Sequence, residues 1–320
     1  MFDATVAADV SGLPVTLVHA CQRDGRGGSP TAVVDESALG GLRGLGSLSD
    51  EQRRTVPGLT GASHAVFVSV GADVSLRFFT ATGELPGCGH GTVAALTFLA
   101  ARAGRSDYRA TLRTRGGSFS GRVTRAHGEY EAAFEPGPVT LREPAPGELQ
   151  PVLDALGIPA DAVAPGGRIA TLGRPRLLLP VTTPTALAAL APDFDRLRAA
   201  CDRLGLLGCY VHCETGAPGA SGTSGASGTS GASGASGAAE IRFAARMFAP
   251  SIGVPEDVAN ANSTACLAAH LAREGRLVGA GGAGGRIGVD MGDSLGTPST
   301  ITATATAVGG AATLGRRVRL

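Results

Sequence analysis

The stretch LRFFTATGELPGCGHGTVAALTFLAARAG, Leu76 to Gly104, decides how the whole chain is read. Its first residues, with Val74 and Ser75 before them, are aromatic and β-branched and read as a strand, VSLRFFTA, and Gly83, Pro86 and Gly87 then mark a turn. From Gly91 to Ala103 the composition shifts to Ala and Leu, which predicts a helix. It ends at Gly104, a residue suited to the left-handed cap. Cys88 and His90 stand at the entry to that helix, where the positive end of the helix dipole suits a reactive thiolate. The plainer alternative is that Cys88 fills a small buried space and His90 caps the helix.

Working outward, a displacement of the chain against itself by 171 positions lays TVAALTFLAARAGR, Thr92 to Arg105, over STACLAAHLAREGR, Ser263 to Arg276. Six positions coincide, among them Leu96 with Leu267 and Gly104 with Gly275. Such an echo points to two related lobes, each holding one small-residue helix of the kind a sheet can enclose. The Pro- and Gly-rich segment Pro136 to Pro146 sets the boundary between a lobe over 1–138 and one over 139–320, with the final strand able to return to the first lobe. Each helix follows a polar turn, GELPGCGHG in one lobe and GVPEDVANAN in the other. Two helix N-termini meeting at a shared cleft would present unpaired N–H groups, a ready site for a carboxylate.

Around these helices the first part reads as strands, PVTLVHA, PTAVVDE, HAVFVSVG and SGRVTRA. Beyond the boundary, QPVLDALG and DFDRLRAACDRLG read as helices, and PRLLLPV, CYVHCE and IRFAARMF as strands. Residues 216–239 are almost wholly Gly, Ala, Ser and Thr, which predicts a disordered insertion that buries too little apolar surface to offset its ordering entropy.

Composition removes several chemistries. All 28 basic residues are arginine, so a lysine Schiff base with pyridoxal phosphate and a Walker loop are excluded. A formal charge of +1, no tryptophan and 4% aromatic residues give no nucleic-acid footprint. Six irregularly spaced cysteines and an N-terminus without a basic or apolar leader pattern predict a reduced, cytoplasmic protein, with no run long enough for a membrane span. Cys209, His212 and Cys213 lack a second ligand pair at zinc-site spacing, and GRGG at Gly25 to Gly28 leads to another strand and not to a helix, which disfavours a dinucleotide fingerprint. The candidates for chemistry that remain are His64, Cys88, His90, Glu256, Asp257 and Asn262, with Glu256 and Asp257 adjacent so that only one faces a substrate.

Taken together, LRFFTATGELPGCGHGTVAAL, GGSPTAVV, RIATLGRPRLLLPV, RMFAPSIGVPEDVANANSTACLAAHLA and MGDSLGTPSTITATATAVGGAATL resemble, in order, the motifs of the phenazine-biosynthesis isomerase (PhzF-type) family. The resemblance implies an α/β fold of two pseudo-symmetric diaminopimelate epimerase-like lobes, each a sheet rolled around a central helix, with the active site between them. It also implies a homodimer without cofactor or metal that acts on a small carboxylate-bearing metabolite. The family's acid/base glutamate lies in an S-E-T-x-F segment, where this chain has Ser63, His64, Ala65, Val66 and Phe67, so His64 takes its place. His90 and Asp257 match the family's histidine and aspartate, and Asn262 stands at its serine. Cys88 matches the first cysteine of the epimerase branch, while the second would fall near Asn260 and Cys266 lies too far along.

The leading expectation is a cofactor-independent isomerase in which His64 moves a proton and Asp257 and His90 hold the substrate's amine or hydroxyl. The amides of Gly89 to Gly91 and of Asn260, Asn262 and Ser263 would receive the carboxylate. An ordinary histidine pKa near 6.5 would let His64 accept and return the proton. The alternatives are a one-cysteine epimerase using Cys88 and a catalytically altered binding protein on the same fold.

Overall fold

Short runs of alternating or continuous Val, Leu, Phe and Ala fold as strands because pleated backbone packs such side chains on a buried face. A computed structural model describes residues 9–41, 47–126, 128–216, 240–277 and 284–320. The insertion expected at 216–239 lies outside the described residues except for Gly216, the last residue of a strand.

The first half runs β1 (Pro14–Gln22), β2 (Ser29–Asp35), α1 (Asp50–Thr60), β3 (His64–Val70), β4 (Val74–Thr80), β5 (Gly83–Leu85), α2 (Gly89–Ala103), β6 (Asp107–Thr114), β7 (Gly117–Ala126) and β8 (Glu129–Phe134). The second half runs β9 (Thr140–Arg142), α3 (Gln150–Leu156), β10 (Arg168–Leu172), β11 (Arg174–Pro180), α4 (Pro184–Ala188), α5 (Phe194–Leu204) and β12 (Cys209–Gly216). It continues through β13 (Glu240–Ala249), β14 (Val254–Asp257), α6 (Ala261–Arg273), β15 (Arg286–Met291), β16 (Ser299–Ala303) and β17 (Val308–Arg319).

The same pairing order occurs twice. In the first half β1–β2 is antiparallel, β2–β3 parallel, β3–β4 and β4–β5 antiparallel, β4–β6 parallel, and β6–β7–β8 antiparallel. In the second, β10–β11, β11–β12, β12–β13, β13–β14, β13–β15 and β15–β16–β17 repeat that order with the same orientations. Helix α2 follows β5 as α6 follows β14, so the echo at a displacement of 171 marks equivalent helices. The two pseudo-symmetric lobes are joined by β17, which pairs with β8 and β1 of the first half.

Each sheet wraps its central helix. Every residue of α2 from Gly89 to Thr97 is buried, which explains why its sequence shows no polar face. Leu96 is wholly enclosed, and at Gly121 of β7 an added Cβ would stand 2.7 Å from Leu96 Cδ2. The sheet can therefore approach the helix closely only with glycine at that point. Gly104 closes α2 in the left-handed region, φ 64°, as its position after the Ala-rich run predicts.

Two differences from the sequence reading have clear local causes. Helix α2 begins at Gly89 and not at Gly91, because Cys88 is extended and serves as its N-cap residue. Helix α1 has no apolar periodicity to announce it and even contains Pro57; a capping box between Ser49 and Gln52 starts it. Among the described residues no helix is long and apolar enough to cross a membrane.

Candidate active site

The first turns of α2 and α6 abut. An added Cβ on Gly89 would stand 2.6 Å from Ala261 Cβ and 3.0 Å from the Asn262 nitrogen. Only a residue without a side chain permits two helix N-termini to come this close. The Cys88 side chain makes no capping hydrogen bond, and among the described residues no side chain accepts from the N–H groups of the first turn of α2. Beside this junction lies a cavity of about 140 Å³. An engineered cavity of about 150 Å³ holds benzene, so the space suits a single small ring.

His64, Cys88, Gly89, His90, Asp257, Asn260 and Asn262 line it, and apolar walls come from Leu85, Phe119, Phe134, Leu172 and Ile252. Gly91 and Ser263 are not part of the lining. Gly91 packs against the Phe78 ring and Cys88 Sγ, and Ser263 is wholly buried behind the lining, its Oγ accepting from Arg176. The Ser263 N–H donates to Asn260 Oδ1 at 2.9 Å, which removes it from the carboxylate cradle the sequence suggests. Asn260 is likewise committed, because its Nδ2 donates to Asp257 Oδ2 at 3.0 Å. It positions the carboxylate and caps α6.

His90 joins the two halves. Its Nδ1–H donates to the Ala259 carbonyl at 2.7 Å, which turns Nε2 toward Cys88 Sγ at 3.3 Å. Asp257 Oδ2 is 3.9 Å from the same Nδ1, a charge contact and not a hydrogen bond, since that proton goes to Ala259. Burial works against a charged imidazole here. The negative charge that Cys88 and Asp257 can carry, with the bonds to Cys88 and Ala259, outweighs it and pushes the His90 pKa up to about 10. Burial raises the Asp257 carboxyl above its ordinary value, and His90 and the Asn260 amide pull it back. Asp257 Oδ1 has no hydrogen-bond partner among the described residues.

His64 opens β3 opposite Thr31 of β2, 3% exposed, with its ring centroid 4.4 Å from that of His90 in an edge-on arrangement. Ser63 Oγ lies 2.8 Å from its Nδ1 and holds the ring. Burial first, and the neighbouring His90 second, lower the His64 pKa well below 6.5. The near-neutral titration expected for this residue is therefore corrected: His64 rests as the neutral imidazole, a proton acceptor whose conjugate acid needs help from an anionic substrate.

The sequence reading gave no role to Arg176. It is 2% exposed and lines the cavity. Its Nη1 donates to Ser263 Oγ at 3.2 Å and its Nη2 to the Leu172 and Arg174 carbonyls at 2.7 and 3.0 Å, while Nε has no partner. No carboxylate approaches it within 4.0 Å among the described residues. Burial lowers its pKa, yet a guanidinium stays protonated in any protein interior. The signal available in sequence was the arginine pair in GRPRLLLP, where the second arginine interrupts an apolar strand.

Glu256 points away from the cavity and pairs with Arg246 at 2.8 Å, so Asp257 is the member of the adjacent pair that lines it. All six cysteines are free and buried, and among them only Cys88 lines the cavity.

Comparison with known proteins gives one family. The model described as "Phenazine biosynthesis-like protein" (PhzC-PhzF) matches residues 19–319. The chain is 30% identical over 269 residues to an "Uncharacterized isomerase" of Deinococcus radiodurans, covering 80% of this chain and 77% of that protein. It is 29% identical over 238 residues to the trans-2,3-dihydro-3-hydroxyanthranilate isomerase of Pseudomonas chlororaphis, covering 73% and 70%. A solved structure, described as a "Predicted Epimerase" from Pseudomonas aeruginosa, superposes with a TM-score of 0.75 at 22% identity over 96% of this chain and 99% of that one, a likeness of fold.

Proposed function

The chain belongs to the phenazine biosynthesis-like (PhzC-PhzF) family and is an isomerase, and from that premise we propose that it moves a proton within a small, carboxylate-bearing, single-ring metabolite without help from an organic cofactor. The observation that carries the reading is the neutral His64 imidazole in edge-on contact with His90, beside two helix N-termini and an arginine with no carboxylate partner.

His64 takes a proton from a ring carbon and becomes imidazolium. The electron pair left behind shifts through the adjacent double bond, and the imidazolium, whose proton exchanges with solvent, delivers a proton to the far carbon, so the substrate's composition is unchanged. Negative charge develops on the substrate during the transfer, and His90 in its cationic form and Arg176 face it in a cavity with apolar walls. The carboxylate fits Arg176 and the free N–H groups of the α2 turn, which replaces the Asn260 to Ser263 cradle expected from sequence. Asp257, with one oxygen unpartnered, receives a substrate hydroxyl or amine.

The test uses trans-2,3-dihydro-3-hydroxyanthranilate and ring-modified analogues in D2O, followed by nuclear magnetic resonance. Positioned proton transfer contributes about 100- to 10,000-fold, so His64→Ala should lower deuterium incorporation by that factor while the fold is retained. An unchanged rate in a folded variant rejects the role.

A second reading rests on the 3.3 Å contact between Cys88 Sγ and His90 Nε2, a thiol–imidazole pair of the kind that activates sulfur. A one-thiol epimerase would invert a stereocentre and lose activity to iodoacetamide, with substrate protecting Cys88. Isomerisation through His64 predicts a shifted double bond instead.

A further inference from the structure

We propose that Cys88, His90 and His64 form a binding site for a borderline-soft divalent metal ion, zinc above all, and that a bound ion shuts off the isomerase. The sulfur of Cys88 and one ring nitrogen each of His64 and His90 lie within 4.8 Å of one another, and all three residues are buried. Zinc holds sulfur at about 2.3 Å and imidazole nitrogen at about 2.0 Å, so tetrahedral ligand atoms stand about 3.5 Å apart. The Cys88 Sγ to His90 Nε2 separation of 3.3 Å already meets that spacing. The remaining separations, within 4.8 Å, must shorten toward that spacing when an ion binds.

The outer partners support the reading independently. Metal-bound imidazoles characteristically tie their second nitrogen to a carbonyl, carboxylate or comparable group. His90 does so through Nδ1–H to the Ala259 carbonyl at 2.7 Å, and His64 through Nδ1 and Ser63 Oγ at 2.8 Å. Asp257, more than nine-tenths buried with Oδ1 without a partner among the described residues, lines the same cavity and is the acceptor there for a water completing the proposed ion's coordination. One sulfur and two imidazoles favour zinc or copper over magnesium or calcium, which prefer oxygen. The other cysteine-rich segment does not compete: His212 and Cys213 are successive residues of β12 and project to opposite faces.

The exchange is balanced. The ion displaces the protons that Cys88 Sγ and His90 Nε2 hold and releases them to solvent, so that a thiolate and neutral imidazoles face the metal. The His64 lone pair then binds the metal and cannot accept a substrate proton. The regulatory half of this inference therefore rests on His64 as the proton carrier, whereas metal binding does not.

Cobalt(II) is the probe. Titrating the metal-free, full-length protein should give a thiolate-to-cobalt charge-transfer band in the near ultraviolet together with the visible bands of a tetrahedral ion. Cys88→Ser should abolish the charge-transfer band. His64→Ala and His64→Gln should weaken binding by more than the about 10-fold that loss of an outer partner costs. Cys213→Ser should leave the spectrum unchanged. Absence of the bands in the native protein, or bands that survive Cys88→Ser and vanish in Cys213→Ser, overturns the site. Zinc at the concentration that displaces cobalt should inhibit turnover, and a chelator should restore it. Cobalt bands with turnover indifferent to zinc overturn the regulatory half alone. If no turnover is found with any substrate, the isomerase reading fails and the spectrum still decides the metal site.

Discussion

Replacement of Arg176 by methionine keeps most of the apolar stem and removes the charge. In the ligand-free protein two effects oppose each other. Three hydrogen bonds, to Ser263 Oγ and the Leu172 and Arg174 carbonyls, are lost at about 1 kcal/mol each. Against that, a buried guanidinium with no carboxylate partner disappears, and replacing buried charge by an apolar side chain is commonly neutral or stabilising by about 1–4 kcal/mol. The unliganded stability should therefore change by no more than about 2 kcal/mol, in either direction. Binding is different, because removing one partner of a buried, hydrogen-bonded charge pair costs about 2–5 kcal/mol. That is about 30- to 5,000-fold in affinity. The assay is calorimetric titration of native protein and variant with anthranilate and with its carboxamide. The native protein should prefer the acid by that factor, and Arg176→Met should bring the ratio close to one. Comparing the ratio across the two proteins cancels general effects of the substitution on the cavity. A variant that keeps the native preference for the acid refutes Arg176 as the carboxylate anchor.

Two further substitutions test the frame around the site. Gly89→Ala places a Cβ 2.6 Å from Ala261 Cβ, so α2 and α6 must separate. Denaturant unfolding should show a loss of about 1–3 kcal/mol, with turnover reduced, and an effect on neither would mean that the two helix ends are not in contact. Leu96→Ala empties the fully buried centre of the first lobe and should cost about 2–5 kcal/mol in the same assay, against less than about 0.5 kcal/mol for Leu59→Ala on the exposed face of α1.

The fold was legible in sequence because each lobe is built around a helix of small residues whose turn is specified locally. The Ala-rich run, Gly104 and the polar turn before Cys88 are all short-range signals, and their recurrence at Ser263 to Arg276 exposed the pairing of lobes. His64, Cys88, His90 and Asp257 were within reach for the same reason: each sits at the end of an element, where a pattern breaks. Arg176 was not, because what sets it apart is the absence of a carboxylate around it, and that depends on how β11 lies against α6. The depression of His64 likewise comes first from its burial in the assembled fold and then from His90, which lies on a different element, and neither is written in the residues around position 64. Ser263 shows the converse error. A residue typical of anion-binding turns was assigned to substrate from its type and place, but Asn260 had already taken its N–H for the cap.

The charge balance of the cavity argues for a substrate unlike one that a glutamate at position 64 would suit. With histidine at position 64 the lining holds Asp257 as its carboxylate against Arg174, Arg176 and a raised His90. A carboxylate at position 64 would supply a countercharge for an ammonium group, and neutral imidazole does not. The native enzyme should therefore favour acids that lack an ammonium group over trans-2,3-dihydro-3-hydroxyanthranilate. His64→Glu reverses the balance. The new carboxylate would stand beside His90, and two unit charges about 4 Å apart attract by about 4 kcal/mol at an effective dielectric constant of about 20, enough to offset much of its desolvation and keep it ionised. Turnover of the ammonium-bearing substrate should rise by at least about 10-fold, equivalent to about 1.4 kcal/mol, while that of an ammonium-free analogue does not. Equal gains for both substrates, or none in a folded variant, would show that the residue at position 64 does not read the substrate's charge.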